Sequence, residues 1–333
     1  VSRYDVAGLT AESVLSTWNG QARTTYPGWL YSGGALRVFG MGGSYNAALT
    51  AAESLRLAGV DVRVELASHY YRGPLAAVGP ADTAILVSTS GESIELVELA
   101  ERLRAAGHRR TIALVQEEDS PLAQAVQHVI PLAIADENPI DSFIATVAAL
   151  VRLGAAVRGE TLPAVDDDAA AIAQAVADGQ SAAQAPVAPL VDVLGRGHLL
   201  GVAQQATLLL REISRVPASA WEPNNFRHGP MESIQDDQLT IVLRSTDART
   251  RPADLALARD LRAIPGRTLV LSSEAGATDP ADPADDVSVR PSVVLPGVSE
   301  LAGLLPLIYG WGAQADVEPG VFRYTRVTIT ADA

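Results

Sequence analysis

The chain contains no cysteine, which excludes a disulfide framework and thiolate chemistry alike. Lysine is absent too: all 25 basic side chains are arginine. Whatever reaction occurs here, no lysine of this chain can form a Schiff base with a carbonyl substrate. Richness in Ala, Arg, Gly and Val, the mark of GC-rich coding, accounts for much of that loss, and the chemical restriction holds regardless. Positive charge is scarce overall. The 25 arginines stand against 39 acidic residues, for a net charge of −14, which repels nucleic acid and anionic lipid and makes neither an expected partner. No run approaches the roughly 18 to 20 apolar residues of a membrane span, and the start lacks a basic-then-apolar signal pattern. The expectation is a soluble, cytoplasmic protein.

What is present suffices for two cores. A length of 333 residues with 48% hydrophobic content suggests two domains of about 150 residues each. β-Branched apolar runs alternate with helical periodicity, which predicts parallel sheets covered on both faces. The expected order is a helix over 11–26, strand 36–40, helix 44–58, strands 61–67 and 83–88, and helix 92–106. Strand 110–115, a short segment 121–126, strand 128–132 and a long apolar helix over 140–157 complete the first half. A polar, punctuated stretch at 158–168 reads as a boundary. After an Ala-rich helix over 168–186 the theme restarts. Strands are expected at 190–195, 239–244, 267–272 and 286–290, with helices at 199–215, 252–263 and 297–314. The repeated order implies a duplicated α/β unit whose two sheets face one another across a cleft. The expected division is a leading helical segment 1–30, a first domain 31–160 and a second domain 161–333.

Two turns carry the chemistry of the first half: Gly40-Met41-Gly42-Gly43-Ser44-Tyr45-Asn46 and Ser88-Thr89-Ser90-Gly91-Glu92-Ser93. Each follows an apolar strand and opens a helix, an arrangement that points backbone N–H groups and hydroxyls at an anion. Either turn alone is also what an ordinary helix N-cap needs. Two hydroxyl-dense turns at successive strand ends favour one tetrahedral anion between them, a phosphate or a sulfonate. The second half has Arg244-Ser245-Thr246-Asp247-Ala248 at the matching place, so one such site per chain is expected.

In the second half Glu212 ends the apolar run 206–214, where a carboxylate is badly placed for the helix dipole. A salt bridge to Arg211 or Arg215 is its simplest explanation. His228 lies in Asn225-Phe226-Arg227-His228-Gly229-Pro230, a turn entering a short helix, and could be structural. Taken together near one domain edge, the two form a proton-shuttling pair. Imidazole titrates at about pH 6.5, and a partly buried carboxylate can be raised to about 6–7.

These segments resemble the double sugar-isomerase (SIS) domain family, over about residues 30 to 330. The likeness is to the isomerase half of glucosamine-6-phosphate synthase and to the bacterial fructosamine-6-phosphate deglycases. Gly42-Gly43-Ser44-Tyr45-Asn46 matches the family's first phosphate turn and Ser88–Ser93 the second, where the synthase has Gln at the Thr89 position. Arg211-Glu212-Ile213-Ser214 and Arg227-His228-Gly229-Pro230 match its Lys-Glu-Ile-Ser and Lys-His-Gly-Pro segments, with the same separation of sixteen residues. The resemblance implies two tandem flavodoxin-like three-layer domains and no cofactor or metal. It implies that Gly43, Ser44, Ser88, Thr89, Ser90, Ser93 and Ser142 hold a phosphorylated sugar or amino sugar. By the same resemblance Glu212 moves a proton at C1/C2, and His228 opens the ring from a neighbouring subunit, so a homodimer with shared sites is expected.

Departures from the family matter as much. Thr325 stands where the synthase has its imine-forming tail lysine, and Leu209 stands where a helix lysine precedes its glutamate. The synthase's Ser-Thr-Lys turn reads Asp141-Ser142-Phe143-Ile144, keeping only Ser142. With no ammonia-producing segment in the sequence and no such lysine, a glutamine-using synthase is not expected. Three readings follow: a C1/C2 isomerase of a hexose or amino-hexose 6-phosphate; a deglycase whose substrate already carries the amine, with Trp221-Glu222-Pro223-Asn224-Asn225 near it; or a non-catalytic sugar-phosphate sensor.

Overall fold

The computed structural model describes residues 6–31, 33–134, 138, 140–273, 286–319, 321 and 323–324. The chain forms two compact units. The amino-terminal unit comes from Val14–Asp136 and Ile140–Ala164, the carboxy-terminal unit mainly from Val165–Val321.

The amino-terminal unit runs α1 (Ala11–Gly20), β1 (Leu36–Gly40), α2 (Gly42–Leu57), β2 (Val62–Leu66), β3 (Thr83–Val87), α3 (Ile94–Ala105), β4 (Thr111–Val115), α4 (Pro121–Ala125), β5 (His128–Pro131) and α5 (Asp141–Arg158). Its five strands are parallel in the order β2-β1-β3-β4-β5. β1, β3 and β4 are buried along their whole length. Helices on both faces remove every side chain of those strands from water, which is why they read as unbroken apolar runs. On one face Phe39, Leu86, Leu96, Leu99 and Leu103 form the core.

The carboxy-terminal unit repeats the plan with α6 (Asp166–Asp178), β6 (Val191–Leu194), α7 (His198–Leu209), β7 (Ala218–Trp221), α8 (Pro223–Arg227), β8 (Leu239–Arg244), α9 (Arg251–Arg262), β9 (Arg267–Ser272), β10 (Val287–Ser288) and α10 (Val298–Gln314). Its parallel order, β10-β9-β8-β6-β7, is that of the first sheet read from the other edge. The duplicated topology expected from the element order is therefore present. In each sheet the order reverses between two central strands, β1 and β3 or β6 and β8, and such a switch point opens a crevice at the strands' carboxyl ends.

Three helices are shorter than their periodicity suggests, each for a local reason. α1 stops at Gly20, where a Cβ would sit 2.9 Å from the Ala133 Cβ. Gln21 then turns inward, donating from Nε2 to the carbonyls of Leu132 and Ala145 at 2.6 and 2.9 Å. α6 gives way to a 3-10 segment at Gly179, whose place for a Cβ is taken by the Gly303 carbonyl oxygen at 2.0 Å. The helix expected over 199–215 changes after Leu209 into a π-helical turn, Leu210–Ser214. β7 was not legible in advance, since Ala-Ser-Ala-Trp lacks the β-branched signature of its neighbours.

Candidate functional site

Both hydroxyl-rich turns leave the switch point of the amino-terminal sheet. β1 and β3 are adjacent and parallel, with Phe39 beside Leu86, so the turns that follow them start about 5 Å apart. Gly40 lets the first turn close tightly, since a Cβ there would come within 2.8 Å of the Tyr45 nitrogen. α2 then begins without a side-chain cap and with no acidic residue in its first turn. Gly43 and Ser44 lie in that turn, at the positive end of a sixteen-residue helix.

In the second turn the hydroxyls do not serve as a cap. Ser93 occupies the N-cap position of α3 but makes no side-chain cap bond. Its Oγ lies 3.1 Å from that of Ser88, and the Gly91 N–H donates to Ser88 Oγ at 3.1 Å. Gly91 is held at φ +67°, with the position of a Cβ only 2.0 Å from Ser120 Oγ, so no other residue fits. The Glu92 N–H donates to Ser90 Oγ at 3.3 Å. The side-chain hydroxyls of Ser44 and Thr89 make no hydrogen bond among the described residues. Ser142 is the second residue of α5, its N–H donating to Asp141 Oδ1 at 2.5 Å. α5 packs on α2, and a Cβ on Gly154 would meet Leu55 Cδ2 at 2.0 Å. Ser44 and the run Ser88–Ser93 thus follow the carboxyl ends of adjacent strands, and Ser142 opens a helix packed on α2.

In the carboxy-terminal unit Glu212 sits in the π-helical turn, a distortion frequent at functional sites. The widened turn is wedged against α10, where a Cβ on Gly312 would come within 2.9 Å of the Ile213 carbonyl oxygen. It ends at Arg215 in the left-handed region, φ +58°. Burial pushes the Glu212 pKa up, and the charge of Arg215 opposes that shift. Its carboxylate has neither an ion pair nor a hydrogen bond among the described residues. Arg211, the other partner considered, donates instead to the Ala218 carbonyl from Nε and Nη2, at 2.8 and 2.5 Å. Leu209 is buried at the end of α7; Thr325 lies outside the described residues.

His228 follows α8 directly and is exposed. Glu222 caps that helix, accepting from the Asn225 N–H at 2.9 Å, and Phe226 anchors it, fully buried. The Trp221 indole N–H donates to Asp192 at 2.9 Å. Trp221 and Glu222 are therefore committed to holding this segment. The expectation that Glu212 and His228 share one edge does not hold. Glu212 precedes the amino end of β7 and His228 lies beyond its carboxyl end, with about 13 Å of strand between.

The second switch point is filled from within. Arg196, in the turn after β6, sets Nε and Nη2 on Asp254 Oδ1 at 2.9 and 2.8 Å. The other oxygen of Asp254 accepts from the Ser245 N–H, in the turn after β8, at 3.1 Å. A carboxylate of the chain's own, with no exposed surface, takes the backbone donor that an external anion would use.

Fold and crevice together define a two-sheet, doubly wound α/β protein. Residues 30–173 match the SIS domain family. Over 328 residues the chain is 26% identical to the isomerizing glutamine–fructose-6-phosphate aminotransferase of Zymomonas mobilis, a match covering 91% of this chain and 52% of that protein. It thus spans about half the length of that curated relative. Among solved structures, the C-terminal domain of glucosamine-fructose-6-phosphate aminotransferase from Francisella tularensis has a TM-score of 0.77 at 17% identity, over 94% of this chain and 96% of that one. Glucosamine-6-phosphate deaminase from Thermotoga maritima has a TM-score of 0.76 at 16% identity, over 96% and 99%. These likenesses establish the fold.

Proposed function

We propose that the protein is a sugar-phosphate isomerase acting at C1/C2 of a hexose or amino-hexose 6-phosphate. The observation that carries this reading is Glu212, a half-buried carboxylate with raised pKa and no hydrogen-bonded partner among the described residues. Such a group costs stability and is the kind of base that accepts a proton from carbon near neutral pH. In the proposed reaction Glu212 takes the proton from C2 of the open-chain aldose and returns it to C1 of the enediol, while the O2 hydroxyl proton passes to O1, so that nothing is consumed. His228 assists ring opening. The non-reacting phosphate is held by Ser44, Ser88, Thr89, Ser90 and Ser93 with the Gly43 N–H, and Ser142 contributes at its rim. Fixing it there makes the proton transfer intramolecular.

The positions of Glu212 and His228 at opposite ends of β7 support a further part of the reading. A homodimer, in which His228 of a second copy serves each Glu212, lets both act on one hexose. A cytoplasmic location fits such a substrate.

The absence of lysine favours a second reading, an Amadori-product deglycase. Its substrate brings an amine on C1, so the enzyme forms no imine of its own. The deciding experiment offers fructose 6-phosphate, glucosamine 6-phosphate and a fructosamine 6-phosphate in D2O, with products followed by NMR. Deuterium entering C1 of fructose 6-phosphate and C2 of the aldose formed from it is expected of the isomerase. Amine release from the fructosamine alone would replace that reading with the deglycase, and no turnover of any would leave a sensor.

A further inference from the structure

Within the amino-terminal unit a cavity of about 420 Å³ opens beside α1 and the last turns of α5. It is separate from the crevice at the switch point. Arg152, on its wall, is ten residues beyond Ser142 on α5, about 15 Å along the helix. The Arg152 guanidinium carbon lies 3.7 Å from the centre of the Trp18 ring, and Nη2 donates to the Trp18 carbonyl at 2.9 Å. Its protein hydrogen bonding ends there. Nε is buried without a partner, Nη1 makes no hydrogen bond, and no carboxylate pairs with it among the described residues. Glu160, the acid that lines the cavity, pairs instead with Arg158. Burial lowers the Arg152 pKa, opposed by the nearby Tyr26 hydroxyl.

Gln21 stiffens the cavity wall beside Arg152. Its side chain is 1% exposed, and the two bonds from Nε2 to Leu132 and Ala145 fix the amide, leaving Oε1 without a donor. Buried polar atoms are nearly always satisfied, and a charged group left without its counter-charge is more costly still. The cavity thus presents an arginine whose Nη1 is uncommitted and an apolar side formed by Leu162, while Gln21 Oε1 is buried beneath its wall.

We propose that this cavity binds a small organic monocarboxylate. The carboxylate meets Arg152, and the apolar body lies against Leu162. A dianionic phosphate is disfavoured, because a single arginine stands here beside Glu160. The stack on Trp18 holds the guanidinium plane in place, which suits planar carboxylate recognition.

The test titrates the full chain with 4-hydroxybenzoate by calorimetry. Saturable binding at one site per chain is expected, with 4-hydroxybenzamide, which lacks the charge, failing to bind. Arg152→Gln should weaken binding at least about tenfold, equivalent to about 1.4 kcal/mol, while fructose 6-phosphate binding stays unchanged. Leu162→Trp, which adds bulk to the cavity lining and keeps the Arg152 charge, should abolish binding too and serves if Arg152→Gln does not fold. Absence of saturable binding below about 10 mM, equal binding by either variant, or displacement of the probe by fructose 6-phosphate would overturn the proposal.

Discussion

Arg196 bridges Asp254 and Glu222, with Nη2 at 2.8 Å from Asp254 Oδ1 and Nη1 at 2.8 Å from Glu222 Oε1. One guanidinium therefore links the first turn of α9 to the cap of the helix that presents His228. Asp254 is fully buried, and burial raises its pKa even against the bonds from Arg196 and Ser245. Asp254→Ala leaves the largely enclosed Arg196 with one of its two carboxylates and the Ser245 N–H without an acceptor. The expected loss is about 3–5 kcal/mol of unfolding free energy. It is read as a lower urea midpoint at unchanged slope, and a change below the error of the midpoint would refute this account of the second crevice.

Glu212→Gln should separate activity from stability. Turnover is expected to fall by at least about 10²-fold, the contribution of a positioned general base, while sugar-phosphate binding persists. Stability should move the other way. A carboxyl whose folded pKa is raised binds its proton more tightly in the native state than in the unfolded one. Its ionisation therefore destabilises the fold as pH rises above the unfolded value. Replacing it by Gln should raise the melting temperature at pH 8 and leave it nearly unchanged near pH 4. A variant that is inactive but no more stable at pH 8 would refute the desolvation of Glu212.

Ser88→Ala should act on binding. Ser88 Oγ accepts from Gly91 and faces Ser93 Oγ, so its removal loosens the turn that grips the phosphate in ground and transition states alike. KM is expected to rise about tenfold with kcat nearly unchanged, the signature of uniform binding. An equal fall in kcat and kcat/KM would show that the hydroxyl acts only in the transition state, which a phosphate-gripping role does not allow.

Legibility differed sharply between the two halves of the candidate site. β1 and β3 are buried on both faces, so their apolar runs and the Gly-Ser turns after them stand out in the sequence, and the crevice could be read directly. Glu212 was visible as an acid at the wrong end of a helix. Its π-helical turn was not, because the widening depends on packing against Gly312, which lies a hundred residues away. β7 escaped for a similar reason: Ala218-Ser219-Ala220-Trp221 becomes a strand through its ladder to β6, not through propensity. Missing that strand hid the fact that Glu212 and His228 lie at its opposite ends.

That separation makes subunit sharing testable by mixing. Glu212→Gln and His228→Asn homodimers should each be inactive. When the two are unfolded together, or co-expressed, heterodimers form. If each site takes Glu212 from one copy and His228 from the other, one of a heterodimer's two sites has both native residues and the other has neither. Random pairing makes half the dimers mixed and half of their sites whole, so activity should recover to about a quarter of the unmutated value. If both residues act within one copy, every site in the mixture keeps one defect and no recovery occurs. Circular dichroism and sugar-phosphate binding of each separate variant distinguish the second result from loss of structure. A recovered fraction near a quarter, measured against the two separate variants at equal total concentration, would place the catalytic histidine in the partner.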